Sequence, residues 1–379
     1  MAKKTNLIAE FPIRKLGVRN FRRWAFNTVK TAITSNSKDI ILAPFSSVFY
    51  ATFACNLNCI YCDHPDVRAK YIKKLDTPKT LSLIEKMYSP GTFLTISGGE
   101  PLIRTDLPEI LQKCRSVGFR PIFLNTNAYS IDNEIGKGSI KLVDYVSVSL
   151  DSMDSSKWDN TLRRPGASER IVSNIEHLIR ERKKYGIEVL VNTVITPESI
   201  KEVYGVIEFC AKNSVQVNLG PVDVHGMPDS RLRNNEEFRK LMQDLIKMKK
   251  ERSAPIASSL KYLEQVRDFS LHDCLPSLVT RVLPDGSVAI PCDPLAADRF
   301  RKYISGLNSP EDYNPREIFP YNLQDYPDLN SLLKEAYQKE GLPLCVRNTD
   351  KCFMPCHLTP TNAVKHPLDF LFSGVLSWA

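Results

Sequence analysis

The stretch that most constrains this chain is Cys55-Asn56-Leu57-Asn58-Cys59-Ile60-Tyr61-Cys62, a C-x3-C-x2-C triplet directly after the apolar run Val48-Phe49-Tyr50-Ala51-Thr52-Phe53-Ala54. Three closely spaced thiolates suit an iron-sulfur cluster, because soft sulfur donors satisfy iron and a cluster needs ligands converging on one small volume. A cubane has four irons, so three local cysteines leave one iron open to bind a substrate or cofactor. Zinc is the rival, although a structural zinc site closes with four ligands, which this triplet alone does not supply.

Composition narrows the setting. The chain has 379 residues, enough for a catalytic domain and a smaller module. Its hydrophobic and charged fractions, 42% and 25%, are those of an ordinary globular protein. No apolar run reaches the roughly eighteen residues of a membrane-spanning helix. The start, Met1-Ala2-Lys3-Lys4-Thr5-Asn6, has no secretory h-region. With ten cysteines falling mostly in two groups, the expectation is metal binding in a reducing cytoplasm rather than a disulfide framework.

The net charge of +8 is concentrated at the N-terminus, where residues 1–40 carry nine basic residues against Glu10 and Asp39. Val18, Phe21, Ala25, Val29 and Ile33 recur at helical spacing with Lys15, Arg19, Arg22, Arg23 and Lys30 between them, which predicts a basic amphipathic helix. Such a helix either lies on an anionic membrane surface or packs on the rest of the protein with a solvated basic face. No aromatic-basic surface motif argues for a nucleic-acid partner.

From Val48 to Gly220 short β-branched runs alternate with helical stretches. Strands are predicted near 48–54, 92–96, 121–126, 144–150, 187–195 and 215–220. Helices are predicted near 79–88, 106–117, 134–142, 168–185 and 199–213, then near 235–251 and 256–269. Six βα units imply an α/β fold in which a parallel sheet with right-handed crossovers curls into a partial (β/α)6 TIM-like barrel. Ligands then bind at the carboxyl ends of the strands, where the cysteine triplet falls.

The triplet, with aromatic Tyr61 before its last cysteine, resembles the signature of the radical S-adenosylmethionine (SAM) superfamily. The resemblance implies a [4Fe-4S] cluster on Cys55, Cys59 and Cys62 whose open iron is chelated by SAM. It also implies reductive cleavage of SAM to a 5′-deoxyadenosyl radical, and an electron donor such as flavodoxin or ferredoxin. Ser97-Gly98-Gly99-Glu100-Pro101 after the second strand resembles the family's GGE motif, which puts Gly98, Gly99 and Glu100 on the SAM amino group. Polar strand ends resemble the contacts to the methionine and ribose portions, making Thr126, Asn127, Ser149 and Asp151 candidates, with loop or helix capping as their alternative. Arg164 is favoured for the SAM carboxylate and Asn192 for the ribose hydroxyls, while an exposed ion pair is the alternative for Arg164.

Beyond residue 230, Cys274, the turn Pro284-Asp285-Gly286-Ser287-Val288-Ala289-Ile290-Pro291-Cys292 and the pair Cys352-Phe353-Met354-Pro355-Cys356 resemble the auxiliary-cluster module called SPASM in its long form and twitch in its short form. The turn reads as a β-hairpin. The implied ligands of one auxiliary [4Fe-4S] cluster are Cys274, Cys292, Cys352 and Cys356, with Cys345 in reserve and zinc as the alternative. Cys114 and Cys210 read as core residues. The expected organisation is a basic segment over 1–40, a radical SAM partial barrel over 41–230, and a helical linker with an α+β auxiliary-cluster domain over 231–379. A peptide-modifying enzyme is the first functional expectation, and a lipid-like substrate is favoured by the basic start and apolar tail, with peripheral membrane contact. A small-molecule cofactor pathway and a non-catalytic iron-sulfur scaffold are the alternatives.

Overall fold

Strand and helix alternate along the barrel as the hydrophobic pattern requires. The computed structural model describes residues 44, 46–224, 227–270, 272, 275, 278–290 and 292–340; the 1–40 segment, Cys274, Cys345, Cys352, Cys356 and the apolar tail lie outside the described residues. Six parallel strands appear in order: β1 (Ser46–Thr52), β2 (Phe93–Gly98), β3 (Ile122–Thr126), β4 (Tyr145–Ser149), β5 (Glu188–Ile195) and β6 (Gln216–Pro221). Between them run α1 (Thr77–Met87), α2 (Leu107–Val117), α3 (Glu134–Ile140), α4 (Ser155–Leu162), α5 (Ala167–Tyr185) and α6 (Glu202–Asn213).

A seventh parallel strand, β7 (Val279–Val282), pairs with β1 in the register Ser46↔Val279, giving the sheet order β6-β5-β4-β3-β2-β1-β7. It precedes the expected hairpin, which forms through the Val282↔Val288 antiparallel bridge around Gly286, whose φ of 85° suits glycine. The sequence reading stopped the barrel at the sixth strand, so this addition is a correction: residues assigned to the C-terminal module extend the barrel sheet. Further on, α7 (Glu236–Glu251) and α8 (Leu260–Asp268) fall where the periodicity put them, followed by α9 (Asp293–Ile304) and α10 (Leu329–Glu340).

Two apolar layers hold these elements. The outer one joins the strands' outward residues, among them Leu94, Ile96, Leu124, Val146 and Val191, to Leu83, Ile110, Leu111, Ile171 and Ile175 on the helices. Cys114 and Cys210 are fully buried in it, as expected. The inner layer gathers Val48, Phe93, Phe123, Tyr145, Leu190 and Val279 inside the curved sheet, and Phe300 of α9 joins the same cluster. Burying such side chains contributes about 1.5–3 kcal/mol each, which fixes the strand register and hence the positions of the strand ends.

Helices α4, α9 and α10 have no counterpart among the helices predicted from the sequence. Pro165-Gly166 reads as a loop or helix-start signal, and α4 forms before it, with Asp154 capping Lys157 N–H at 3.0 Å and with Trp158 and Leu162 buried. It ends on Arg163 in the left-handed region (φ 52°), and α5 restarts after Gly166 (φ 73°), so the predicted 168–185 helix is the second of two.

Candidate active site

The three cysteines lie on the loop leaving β1 and line a cavity of about 440 Å³ at the carboxyl ends of the strands, together with Tyr61, Gly98, Gly99, Thr126, Asn127, Ser149, Asp151 and Asn192. Residues far apart in sequence thus converge on one cavity. Gly220 and Pro221 line the wall at the end of β6.

The loop is fixed by its backbone. Asn58 and Ile60 N–H donate to the carbonyls of Leu162 and Thr161 at 3.4 and 3.0 Å, using acceptors left over at the end of α4. Gly99 N–H donates to the Thr52 carbonyl at 2.7 Å and Glu100 N–H to that of Ala54 at 3.0 Å. A Cβ on Gly98 would stand 2.1 Å from the Thr52 oxygen, and one on Gly99 2.3 Å from that of Ala54. The close approach that demands two glycines is therefore to the cysteine loop.

Glu100 and Arg164 do not line the cavity. Glu100 is fully buried, and its carboxylate accepts from Leu102 N–H at 2.9 Å, Thr126 Oγ1–H at 2.8 Å and Asn127 N–H at 2.7 Å. It ties the end of β3 to the glycine turn, and burial pushes its pKa up to about 7. The Arg164 guanidinium donates to the Asn56 carbonyl at 2.8 Å and lies 4.2 Å from the Tyr129 ring centroid. In this arrangement Arg164 braces the cysteine loop, where the sequence reading had it on the SAM carboxylate.

The sulfurs are half-buried, and burial raises all three thiol pKa values, Cys55 to about 11 and Cys59 to about 12. Leu57 N–H and Asn127 Nδ2–H point at Cys55 Sγ over 3.4 and 3.6 Å. Tyr61 O–H donates to Asp151 at 2.5 Å, and the other Asp151 oxygen accepts Val194 N–H at 2.8 Å; burial lifts this carboxyl to about 6. Asn192 donates through Nδ2 to Ser147 Oγ.

Sequence reasoning missed a charged wall on the other side. Asp63 is bound by Arg301 at 2.6 Å, Arg68 reaches Asp293 at 3.1 Å, and Tyr50 O–H donates to Asp293 at 3.3 Å. His64 Nδ1–H donates to the Gly98 carbonyl at 2.9 Å, and burial lowers its pKa. Asp293 opens α9 directly after Cys292, a buried residue and the one auxiliary-ligand candidate among the described residues. The Asp-His pair after the triplet was the available signal, but the Arg301 partner of Asp63 lies 238 residues away and the Asp293 partner of Arg68 225 residues away.

The donor set fits a cubane held by three ligands: soft, half-buried sulfurs on one cavity wall, with Cys55 Sγ receiving N–H groups. Among the described residues no group of three His, Cys, Asp or Glu is placed to hold a single metal ion. The Radical SAM superfamily profile matches residues 49–210, which include the three cysteines, the glycine turn, the second half of β1 and β2 to β5. Residues 49–210 are a radical SAM domain.

Relatives agree at the level of the domain. A probable GTP 3′,8-cyclase of Sulfolobus acidocaldarius is 29% identical over 178 residues, covering 45% of this chain and 55% of that protein. An AdoMet-dependent heme synthase of Methanosarcina barkeri is 32% identical over 163 residues, covering 42% and 45%. The chain thus spans about half the length of these curated relatives. Among solved structures, SuiB of Streptococcus suis superposes with a TM-score of 0.57 at 17% identity, covering 83% of this chain and 70% of that one. Native anSMEcpe with bound AdoMet and the Kp18Cys peptide gives 0.51 at 19% identity, covering 74% and 82%. These likenesses reach beyond the radical SAM domain but concern the fold. Among the described residues no helix is long and apolar enough to cross a membrane.

Proposed function

We propose that the chain is a radical SAM enzyme in which Cys55, Cys59 and Cys62 hold a [4Fe-4S] cluster, SAM lies across the ends of β1 to β6, and a substrate C–H bond is presented in the same cavity. The observation that carries this reading is the lining of that cavity: among the described residues, Cys55, Cys59 and Cys62 and no fourth cysteine, together with the polar ends of β3 to β5. When bound, such a cluster supplies one electron that splits SAM into methionine and a 5′-deoxyadenosyl radical able to take hydrogen from carbon.

The chain's own residues do the rest. The raised thiols lose their protons on ligation, so loading is favoured by alkaline buffer. N–H groups aimed at Cys55 Sγ lower the charge on that sulfur, which raises the potential of a bound cluster. The Tyr61–Asp151 pair locks the aromatic beside Cys62, and the Glu100 carboxylate holds β3 where Thr126 and Asn127 face the cavity.

A peptide substrate is the first reading, supported by fold neighbours solved with peptides: SuiB bound to precursor peptide SuiA and anSMEcpe with Kp18Cys. A small-molecule cofactor precursor is the second, supported by relatives named as GTP 3′,8-cyclases and heme synthases. The reductant we propose is a flavodoxin or ferredoxin, and an auxiliary cluster on Cys292 with its partners is part of the same proposal. The deciding experiment is anaerobic reconstitution with iron and sulfide, then a 5′-deoxyadenosine assay with dithionite and SAM. Formation of that product, lost in Cys59→Ala, is expected; a fully loaded protein that leaves SAM intact refutes the reading.

A further inference from the structure

The inner face of the sheet changes character halfway up the strands. Residues two apart share a face, and the lower inward layer is Phe93, Phe123, Tyr145 and Leu190, with the Phe123 and Tyr145 rings stacked at 4.5 Å. One step toward the carboxyl ends, branched aliphatics ordinarily continue the filling of a barrel. Here the step from Phe123, Tyr145 and Leu190 leads to Asn125, Ser147 and Asn192, with Asn218 beside Asn192 in register, and all four line the cavity.

Three of these groups are partnered. Asn192 donates to Ser147, and Ser258 O–H donates to Asn218 Oδ1 at 2.7 Å. Asn125 Oδ1 is buried and accepts no hydrogen bond. Leaving a buried amide oxygen unsatisfied costs about 1–3 kcal/mol, and buried polar groups kept for structure are normally paired. The ligand-free fold carries a cost at Asn125 that a ligand relieves.

We propose that this polar layer recognises a planar amide of the substrate, a peptide bond or a ring lactam, with Asn125 as the specificity-determining residue. A carboxamide offers an acceptor and a donor in one plane, and its complement is an edge bearing N–H and C=O. The layer contains no charged side chain, so a buried ionic group would find no counter-charge in it. An aliphatic chain at the same depth would leave the Asn125 amide unpaired, and sites built on hydrogen bonds reject such analogues strongly. The proposal deepens the function given above, since it places the substrate under the SAM-binding edge of the same cavity.

The test compares the full-length protein with Asn125→Leu and Asn125→Ser. Ligand-observed NMR uses N-acetylglycinamide, uracil and 1-hexanol as probes, SAM is titrated into reconstituted protein, and ligand-free melting temperatures are recorded. At least one amide probe is expected to bind the wild type and to lose about tenfold in affinity in Asn125→Leu, equivalent to ~1.4 kcal/mol. SAM affinity stays within about twofold of wild type, hexanol binds Asn125→Leu at least as tightly as wild type because no amide is left unpaired beneath it, and Asn125→Leu melts at or above the wild-type temperature because an unpaired polar group has gone. Preference for N-acetylglycinamide assigns a peptide bond, and preference for uracil a lactam. Asn125→Ser keeps the test open should the leucine variant fail to fold.

Four results overturn the proposal: neither amide binds the wild type; neither variant weakens the amides; SAM affinity falls along with theirs; or Asn125→Leu folds but melts more than about 4 °C lower with SAM binding intact. Failure of the wild type to cleave SAM would refute the functional reading while leaving the probe result standing.

Discussion

Glu100 shows how one side chain turns a motif into architecture. Its carboxyl is held up at about 7 by burial, well above the ordinary 4.5, so between those values the folded state holds a proton that the unfolded chain has lost. The ligand-free protein therefore loses stability as pH rises from about 4.5 to 7, by up to ~3 kcal/mol from this group, and Glu100→Gln should flatten that slope. Melting temperature against pH for the two proteins checks it, and equal slopes would count against a perturbed Glu100. Gly99→Ala tests the glycine turn: a methyl 2.3 Å from the Ala54 oxygen forces backbone apart. We expect about 1–3 kcal/mol of destabilisation in a denaturant titration and weaker cluster loading on reconstitution, read from iron content. Arg164→Met separates its two readings. A residue bracing the Asn56 carbonyl lowers cluster occupancy and leaves SAM affinity per loaded protein unchanged, whereas a carboxylate ligand lowers that affinity.

At the scale of elements, legibility followed periodicity. Six strands and the helices α1 to α3 and α5 to α8 were readable because each buries one stripe or face, and that demand is written locally in the order of apolar residues. Helices α4, α9 and α10 and strand β7 were not. The eight-residue helix α4 is held by its Asp154 cap and by contacts of Trp158 and Leu162 rather than by a pattern. Strand β7 is four residues long and is defined by its parallel partner 233 positions earlier, which no local pattern announces. The site divides the same way: the cavity-lining calls came from strand ends, while Glu100 and Arg164 were missed as braces because their partners are distant backbone groups. Since Arg163 closes α4 with φ 52°, Arg163→Gly should relieve left-handed strain and stabilise the protein by up to ~1 kcal/mol. Chemical denaturation reads this, and a loss of stability would mean that the Arg163 side chain makes a contact worth more than the strain.

At the scale of the molecule, the buried charges Arg68 and Asp293, with the partly buried Asp63–Arg301 pair, clamp the cysteine loop to α9 and so join the radical SAM domain to the C-terminal region. Arg68 and Asp293 have side chains only 7% and 10% exposed, so removing one partner strands a charge. Burial alone would raise the Asp293 carboxyl, but Arg68, Arg281 and His64 overcome it and hold the group at about 2, below its ordinary 3.8. The stability this adds is present above pH ~4 and is lost as pH falls through the folded value. Arg68→Met should therefore cost about 3–5 kcal/mol at neutral pH, where Asp293 stays charged and loses the guanidinium that hydrogen-bonds it. The deficit should shrink as pH falls toward 3, because the variant's carboxyl takes up its proton sooner than the wild type's. Urea denaturation of both proteins at pH 7 and pH 4 measures the difference, and a gap that stays constant between the two would show that Arg68 acts through packing against Phe53, 5.4 Å away, instead of through charge. Because the same clamp joins the loop of Cys62 to the helix that follows Cys292, its rupture is also expected to lower the iron retained after reconstitution, while a surface pair such as Lys302–Asp298 can be broken without that effect.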